Sequence, residues 1–380
     1  MISTSPDSAL IPVTLLTGYL GSGKTTLLNH IMQQPAMADT LVIINEFGEI
    51  ALDHLLVAHS TENVVIEMGS GCLCCTIRSD LVKTLRDITW RFSRNGKRHF
   101  HRVLIETTGL ADPTPIIHTL MADPQVTSRY RLDGIAATID LATGNQTLSA
   151  HNEAIKQAAI ADCLLLTKAD LAKPQDKDAL LQRLDAINPA ATRWQVAHGQ
   201  IEAEKLLNPG LFSAWEKIPD VARWLREEAY AADATQKPEH DTAHQHHPGA
   251  DDHGHSHAHD HTHDVNRHDD HVRAYCFTTD QPVSRQIYAT LLEQLFYMGG
   301  KILRIKGILN IEGNDQPMAM HGVQHILHPL TPLPAWPDND RRSKIVFITC
   351  DMERETVERI FTAITQVAVR GQEAFREWRS

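Results

Sequence analysis

No stretch of this chain is apolar for the roughly 20 residues that cross a bilayer, and a membrane-spanning protein is not expected. Clusters of Lys and Arg are also lacking: 36 basic residues stand against 47 acidic ones, for a net charge of −11. Nucleic-acid backbones are bound by grouped cations, so no nucleic-acid partner is expected. Met1 to Leu10 hold no basic segment followed by an apolar core, which gives no sign of a secretory leader and points to a cytoplasmic protein. Cysteine is scarce, six in 380 residues, and in a reducing compartment these do not read as a disulfide framework. Three of the six are Cys72, Cys74 and Cys75, for which metal binding is the leading account. The 42% apolar content is that of an ordinary globular protein, and 380 residues suffice for two domains.

One segment carries the most information. Gly18-Tyr19-Leu20-Gly21-Ser22-Gly23-Lys24-Thr25-Thr26 follows the apolar run Pro12 to Leu16 and precedes a helical stretch from Thr25 to Met32. It fits G-x-x-x-x-G-K-[ST] in full, with strand, loop and helix where a phosphate-binding loop needs them. Gly21, Ser22 and Gly23 let backbone N–H groups turn inward around phosphate oxygens. Lys24 neutralises the β and γ phosphates, Thr25 offers its hydroxyl to Mg²⁺, and Thr26 continues the cradle into the helix.

Short apolar runs then alternate with longer helical stretches, at Leu41 to Ile44, Val64 to Ile66, Val103 to Ile105, Ile135 to Ile139 and Leu164 to Leu166. This is the pattern of an α/β fold, a mainly parallel sheet wrapped by helices, here with a phosphate-binding loop after its first strand. Between about Ala231 and His271 the composition turns to His, Asp, Ala, Thr and Gly, which cannot bury a core and reads as a flexible linker. Ordered pattern resumes at Arg273, with a helix expected from Ser284 to Met298, strands at Ile302 to Ile311, Met318 to Leu327 and Ile345 to Thr349, and a last helix from Glu353 to about Val369. The expected organisation is a nucleotide-binding domain over residues 1–220, a His-rich linker over 221–271 and a small α+β domain over 272–380.

Beyond the loop, Val103-Leu104-Ile105-Glu106-Thr107-Thr108-Gly109 is an apolar strand ending in a carboxylate with a glycine three residues on. Glu106 suits a Walker B position acting on Mg²⁺ or its waters, and the backbone N–H of Gly109 suits a sensor of the γ-phosphate. Lys24 and Glu106 are therefore the candidate catalytic residues. Thr167-Lys168-Ala169-Asp170 resembles the guanine-reading N-K-x-D element, with Thr where Asn is usual. Asp170 would accept from N1–H and the exocyclic amine of guanine, groups that adenine does not present, while the Lys168 stem covers the ring. His198 follows the next strand, where a loop commonly meets the base edge.

Cysteines at i, i+2 and i+3 converge only from a tight turn, for which Gly69 and Gly71 supply the freedom. Three thiolates at about 2.3 Å leave one position of a zinc tetrahedron for a carboxylate, an imidazole, water or a partner protein. Zn²⁺ suits thiolates, with Co²⁺ and Ni²⁺ as competitors. From His240 to His271 the linker holds twelve of the chain's 23 histidines, many in alternate spacing with Asp, which favours several weak, exchanging metal sites over one cage. Cys163, Cys276 and Cys350 lie in apolar runs and are expected to be core thiols.

Gly18 to Thr25, Asn45-Glu46-Phe47-Gly48-Glu49, the Gly71-Cys72-Leu73-Cys74-Cys75 loop, Glu106-Thr-Thr-Gly and Thr167-Lys-x-Asp occur together and in order. In these the chain resembles the CobW-type metallochaperone GTPases, and especially their YjiA branch. The resemblance spans both domains, including Leu303-Arg304-Ile305-Lys306-Gly307, but not the length of the histidine tract. It implies slow GTP hydrolysis to GDP, metal binding at the C-x-C-C loop and delivery of zinc or a related ion to a client metalloprotein, with oligomerisation left open. Relatives can carry a Glu just before the Asn-Glu-Phe-Gly-Glu run, where this sequence has Ile44, so Glu49 joins the three cysteines as the available ligands. Asn45 to Asp53 and Gly109 to Pro113 are the expected switch segments.

Overall fold

The computed structural model of the chain describes residues 10–45, 65–68, 75–94, 97–98, 100–207 and 271–362. The first half alternates strand and helix: β1 (Ile11–Gly18), α1 (Lys24–Ile31), β2 (Thr40–Asn45), β3 (Val65–Met68), α2 (Cys75–Arg91), a two-stranded ribbon of β4 (Ser93–Arg94) and β5 (Lys97–Arg98), and β6 (Arg102–Thr107). It continues with α3 (Thr114–Ala122), α4 (Pro124–Thr127), β7 (Tyr130–Asp140), α5 (Gly144–Ala150), α6 (Asn152–Ile160), β8 (Cys163–Thr167), α7 (Pro174–Ile187), β9 (Thr192–Val196) and α8 (Ala203–Leu207). Seven strands join in the order β3-β2-β6-β1-β7-β8-β9, and every pairing among them is parallel. The expected α/β architecture is present. Its strands are near-continuously apolar because both sheet faces are covered: Val13, Leu15, Ile43 and Ile105 enter one core, and Leu16, Val42, Leu104 and Leu165 the other.

All seven strands run the same way, so their carboxyl ends share one edge, where ligands bind in such sheets. Gly18, Asn45, Met68, Thr107, Asp140, Thr167 and Val196 are the last residues of β1, β2, β3, β6, β7, β8 and β9. The segment that includes Cys72 and Cys74 leaves β3 at this edge and returns in α2, whose first residue is Cys75.

The second half forms β10 (Val272–Thr279), α9 (Arg285–Met298), β11 (Ile302–Leu309), β12 (Met318–Val323), β13 (Ile326–Leu327), β14 (Thr331–Pro332) and β15 (Ser343–Cys350), and residues 354–362 are helical. Its strands make an antiparallel sheet in the order β10-β15-β11-β12-β13, with β14 on β12. Ser284 caps α9, its hydroxyl accepting from Ile287 N at 3.2 Å, as N-cap serines do. Period-two alternation divides the sheet. Tyr275, Phe277, Ile305 and Phe347 face α9 with Leu291 and Leu295. Ala274, Cys276, Ile308, Val346 and Ile348 join the core of the first domain.

That junction carries charge. Asp162, just before β8, accepts from Arg304 Nη2 at 2.6 Å and pairs with Lys306 Nζ at 2.7 Å, both on β11. Its other oxygen accepts from Ile135 N at 2.9 Å. Burial alone would raise the Asp162 pKa, but the two cations hold it down to about 2. Cys350 departs from the expected core thiol. It is half-buried and its Sγ–H reaches Asp351 Oδ2 at 3.5 Å, because β15 ends there and exposes one side of the residue.

Candidate nucleotide and metal site

The phosphate loop joins β1 to α1 and starts from a glycine whose surroundings leave no room for a side chain. Gly18 adopts φ +138°, and a Cβ on it would lie 2.1 Å from Thr138 Oγ1. Lys24 opens α1 and is 7% exposed, its ammonium donating to Gly18 O at 2.8 Å and Tyr19 O at 3.3 Å. The ammonium is thus held by the two carbonyls at the start of its own loop. Ser22 is buried and shares a 2.6 Å hydrogen bond with Thr138 Oγ1. Thr25 is half-buried, and Gly21 and Thr26 face solvent.

Glu106 lies next to the end of β6, 5% exposed and in register with Leu16 on β1 and Ile44 on β2. It shares the strand-end layer with Thr107, whose hydroxyl donates to Thr17 Oγ1 at 2.9 Å. A hydroxyl at Thr25 and a carboxylate at Glu106 are hard oxygen donors of the kind Mg²⁺ takes. Gly109 follows, packed so closely on the phosphate loop that a Cβ would stand 2.5 Å from both N and Cα of Leu20.

Thr167 is tied to that loop. Its hydroxyl donates towards Ser22 O at 2.7 Å, with Ile139 O at 3.2 Å. The threonine that departs from the usual Asn therefore binds the base-side element to the phosphate loop. Lys168 adopts φ +54° and pairs with Asp140 Oδ2 at 2.8 Å. Asp140 also accepts from the backbone of Ala142 and Thr143. Burial would raise its pKa, but Lys168 and these N–H groups hold the carboxyl below its ordinary value. Asp170 and His198 are exposed at the same edge, His198 with φ +51°.

Sequence reasoning did not single out Tyr19, His151, Asp140 or Gln157. Tyr19 stacks on His151 with ring centroids 4.4 Å apart. Together with Ser22, Thr138, Asp140 and Gln157, Tyr19 lines a cleft beside the phosphate loop. Only Asp140 had a signal, an acid ending an apolar run in the manner of Glu106.

Of the expected metal ligands, Glu49, Cys72 and Cys74 lie outside the described residues, as do Glu46 to Asp53 of the first expected switch and residues 208–270 of the linker. Cys75 is placed by its backbone at the head of α2. Among the described residues no group of three or more His, Cys, Asp or Glu side chains is arranged to hold a metal ion.

Residues 12–195 match the CobW/HypB/UreG nucleotide-binding domain, and residues 272–365 match the cobalamin synthesis protein cobW C-terminal domain. The chain is 31% identical over 355 residues to the zinc chaperone YjiA of Escherichia coli, covering 93% of this chain and 98% of that protein. It is 32% identical over 204 residues to the zinc-regulated GTPase metalloprotein activator 1 of Schizosaccharomyces pombe, covering 52% of this chain and 48% of that one. Among solved structures, Zn(II)-bound YjiA GTPase from E. coli superposes with a TM-score of 0.63 at 27% identity, over 93% of this chain and 99% of the other.

Proposed function

The chain belongs to the CobW/HypB/UreG family and is a GTPase, and from that premise we propose that it binds Zn²⁺ at the Cys72, Cys74 and Cys75 loop and passes the ion to a client metalloprotein under the control of GTP hydrolysis. The observation that carries the reading is the common edge. The segment bearing Cys72 and Cys74 starts from β3 at the same end of the sheet as the phosphate loop and the Glu106 to Gly109 turn.

In this reading Lys24 and the loop N–H groups hold the phosphates, and Thr25 and Glu106 hold Mg²⁺, which supplies charge neutralisation at the transferring phosphoryl group. Thr167 keeps the base-side element and the phosphate loop in one geometry, Lys168 stays clamped to Asp140, and Asp170 reads guanine. His198 lies at the base edge. Gly109 senses the γ-phosphate. Glu49 and the three thiolates are the zinc ligands, with Co²⁺ and Ni²⁺ as rivals that geometry and supply must exclude. The similarity to a zinc chaperone and to a zinc-regulated activator supports zinc as cargo. No candidate arginine finger is evident in the sequence, so turnover without a partner should be on the order of 10⁻⁴ to 10⁻² s⁻¹.

The test is a competition titration of Zn²⁺ against a chelator with GDP and with a non-hydrolysable GTP analogue, repeated on a Cys72, Cys74 and Cys75 triple Ser variant. Linkage requires any difference in zinc affinity between nucleotide states to be mirrored in nucleotide preference. Equal affinities in both states of the wild type would remove nucleotide control. A tight site surviving in the triple variant would move the metal elsewhere. The histidine tract favours a second reading, a zinc buffer whose GTP turnover is indifferent to stoichiometric Zn²⁺.

A further inference from the structure

Gln157 lies on α6 and is completely buried, yet its amide points away from its own helix. The Nε2 group donates to Ala111 O at 3.1 Å and to Gly109 O at 3.4 Å. Its Oε1 is buried with no hydrogen-bond partner among the described residues. The preceding residue, Lys156, pairs with Asp112 Oδ2 at 3.1 Å. Two consecutive residues of one helix thus grip Gly109 to Asp112 at three points, while the phosphate loop presses on Gly109 from the other side. A planar amide with both donors engaged on two carbonyls fixes the tilt of both peptide planes. A side chain that merely filled space would not need to.

α6 does not end in solvent. Two residues past Ile160 stands Asp162, anchored to Arg304 and Lys306 of the second domain and to Ile135 of β7. α6 itself touches β11. The helix is a continuous strut from the Gly109 loop to the central part of the C-terminal sheet.

We propose that Gln157 is a positioning residue for GTP hydrolysis, holding Gly109 at the depth against the phosphate loop that the γ-phosphate requires, and that α6 makes this depth depend on the seating of the C-terminal sheet through Asp162. A partner bound to the C-terminal domain would then alter hydrolysis without touching the nucleotide. This rests on the reading of Gly109 as the residue at the γ-phosphate.

The experiment measures kcat and KM for GTP, and Kd for GDP, on full-length Gln157→Leu, Gln157→Glu, Lys306→Met and the Gln157→Leu/Lys306→Met double variant. Gln157→Leu keeps the volume and removes both donors. Gln157→Glu keeps the shape and sets a carboxylate against two carbonyl oxygens, and serves should the leucine variant not fold. Each should lower kcat by roughly ten- to a hundredfold, since a misplacement of about 1 Å reaches the upper figure, with GDP affinity within about twofold of wild type, the reagent of choice being GDP itself because it lacks the γ-phosphate. Lys306→Met should lower kcat roughly fivefold or more, the lower end of inter-site coupling. The double variant should be no slower than the slower single variant. Unchanged kcat in both Gln157 variants, or equal losses of GTP and GDP affinity with kcat intact, would overturn the positioning role. Independent, multiplying losses in the double variant would overturn the strut. Gly109→Ala separates the two readings: if it turns over GTP as wild type does, the placement of Gly109 has failed, whereas an impaired Gly109→Ala beside a normal Gln157→Leu refutes Gln157.

Discussion

Replacing Gly109 with alanine adds one methyl group, and the structure leaves it no space. The new Cβ would stand 2.5 Å from Leu20 N, 2.5 Å from Leu20 Cα and 3.0 Å from Tyr19 C, where ordinary contact begins near 3.4 Å. All three atoms are backbone, so no rotamer change relieves the clash. Gly109 is absent from the glycines with positive φ, and the penalty is steric, with no dihedral component. Either the Gly109 turn or the phosphate loop must retreat by about 1 Å, a displacement that can cost about a hundredfold in rate, or about 2.7 kcal/mol at the transition state. Phosphate release under saturating GTP reads the loss directly. GDP binding shows which element moved, because a displaced phosphate loop weakens GDP as well, whereas a displaced turn spares it. Wild-type turnover in Gly109→Ala would refute the argument from geometry to chemistry.

Lys24→Ala should abolish detectable GTP binding, since the phosphate loop loses the ammonium held at its start; unchanged GTP affinity by calorimetry would sink the loop assignment. Asp170→Asn should shift preference from GTP towards XTP, because the new amide donor meets the 2-oxo group that repels a carboxylate, and a competition assay showing undiminished GTP preference would reject Asp170 as the base reader. His321, 2% exposed, has its pKa held well below 6.5 by burial first and then by Arg304 and Lys306, with Asp162 pulling the other way and His328 adding a small depression. Its folded pKa lies below the unfolded value, so the unfolded chain takes up a proton the folded one refuses, and its stabilising contribution is full above about pH 6.5 and falls as pH drops below it. Denaturant titrations at pH 7 and pH 5 should show wild type losing more stability than His321→Gln, and equal losses would show that His321 does not titrate out of the interface. Asp162 follows in a lower window: its pKa of about 2 against 3.8 means its contribution is lost only as pH falls from about 4 towards 2.

Much of the site was legible because it is local. A phosphate loop spends nine consecutive residues on one task, and Glu106 announces itself by ending an apolar strand. Strand β7 proved longer than the run Ile135 to Ile139 because Arg131 and Asp133 interrupt its apolar pattern, and Asp133 is accommodated in the interior by ion pairs with Arg102 at 2.6 Å and Arg131 at 3.3 Å. Strand β9, Thr192–Val196, was expected before His198 but without bounds: it lies at the sheet edge with Trp194 and Gln195 exposed, and its pattern is not continuously apolar. Gln157 was invisible for another reason. A glutamine in a helix usually faces solvent, and only the fold brings this one to carbonyls more than 40 positions earlier. Thr167 was read as a weakened form of a base-reading motif, and its hydroxyl instead shows a tether to Ser22 that spans 145 positions.

Among the described residues, both faces of the central strands of the C-terminal sheet are covered. Tyr275 and Phe347 belong to one side of it and Ala274 and Ile348 to the other, and both sides are closed. A sheet held this way behaves as a party wall: neither neighbour can be taken down without stripping the other. The two halves should therefore lose their structure together, and heating should melt them in one step. Genes that carry only the first half of this chain would need some other protein, or a reworked set of surface residues on α6 and α7, to cover what the sheet covers here. Asp162 would be the costliest residue to leave behind, as a buried carboxylate whose two cations had gone.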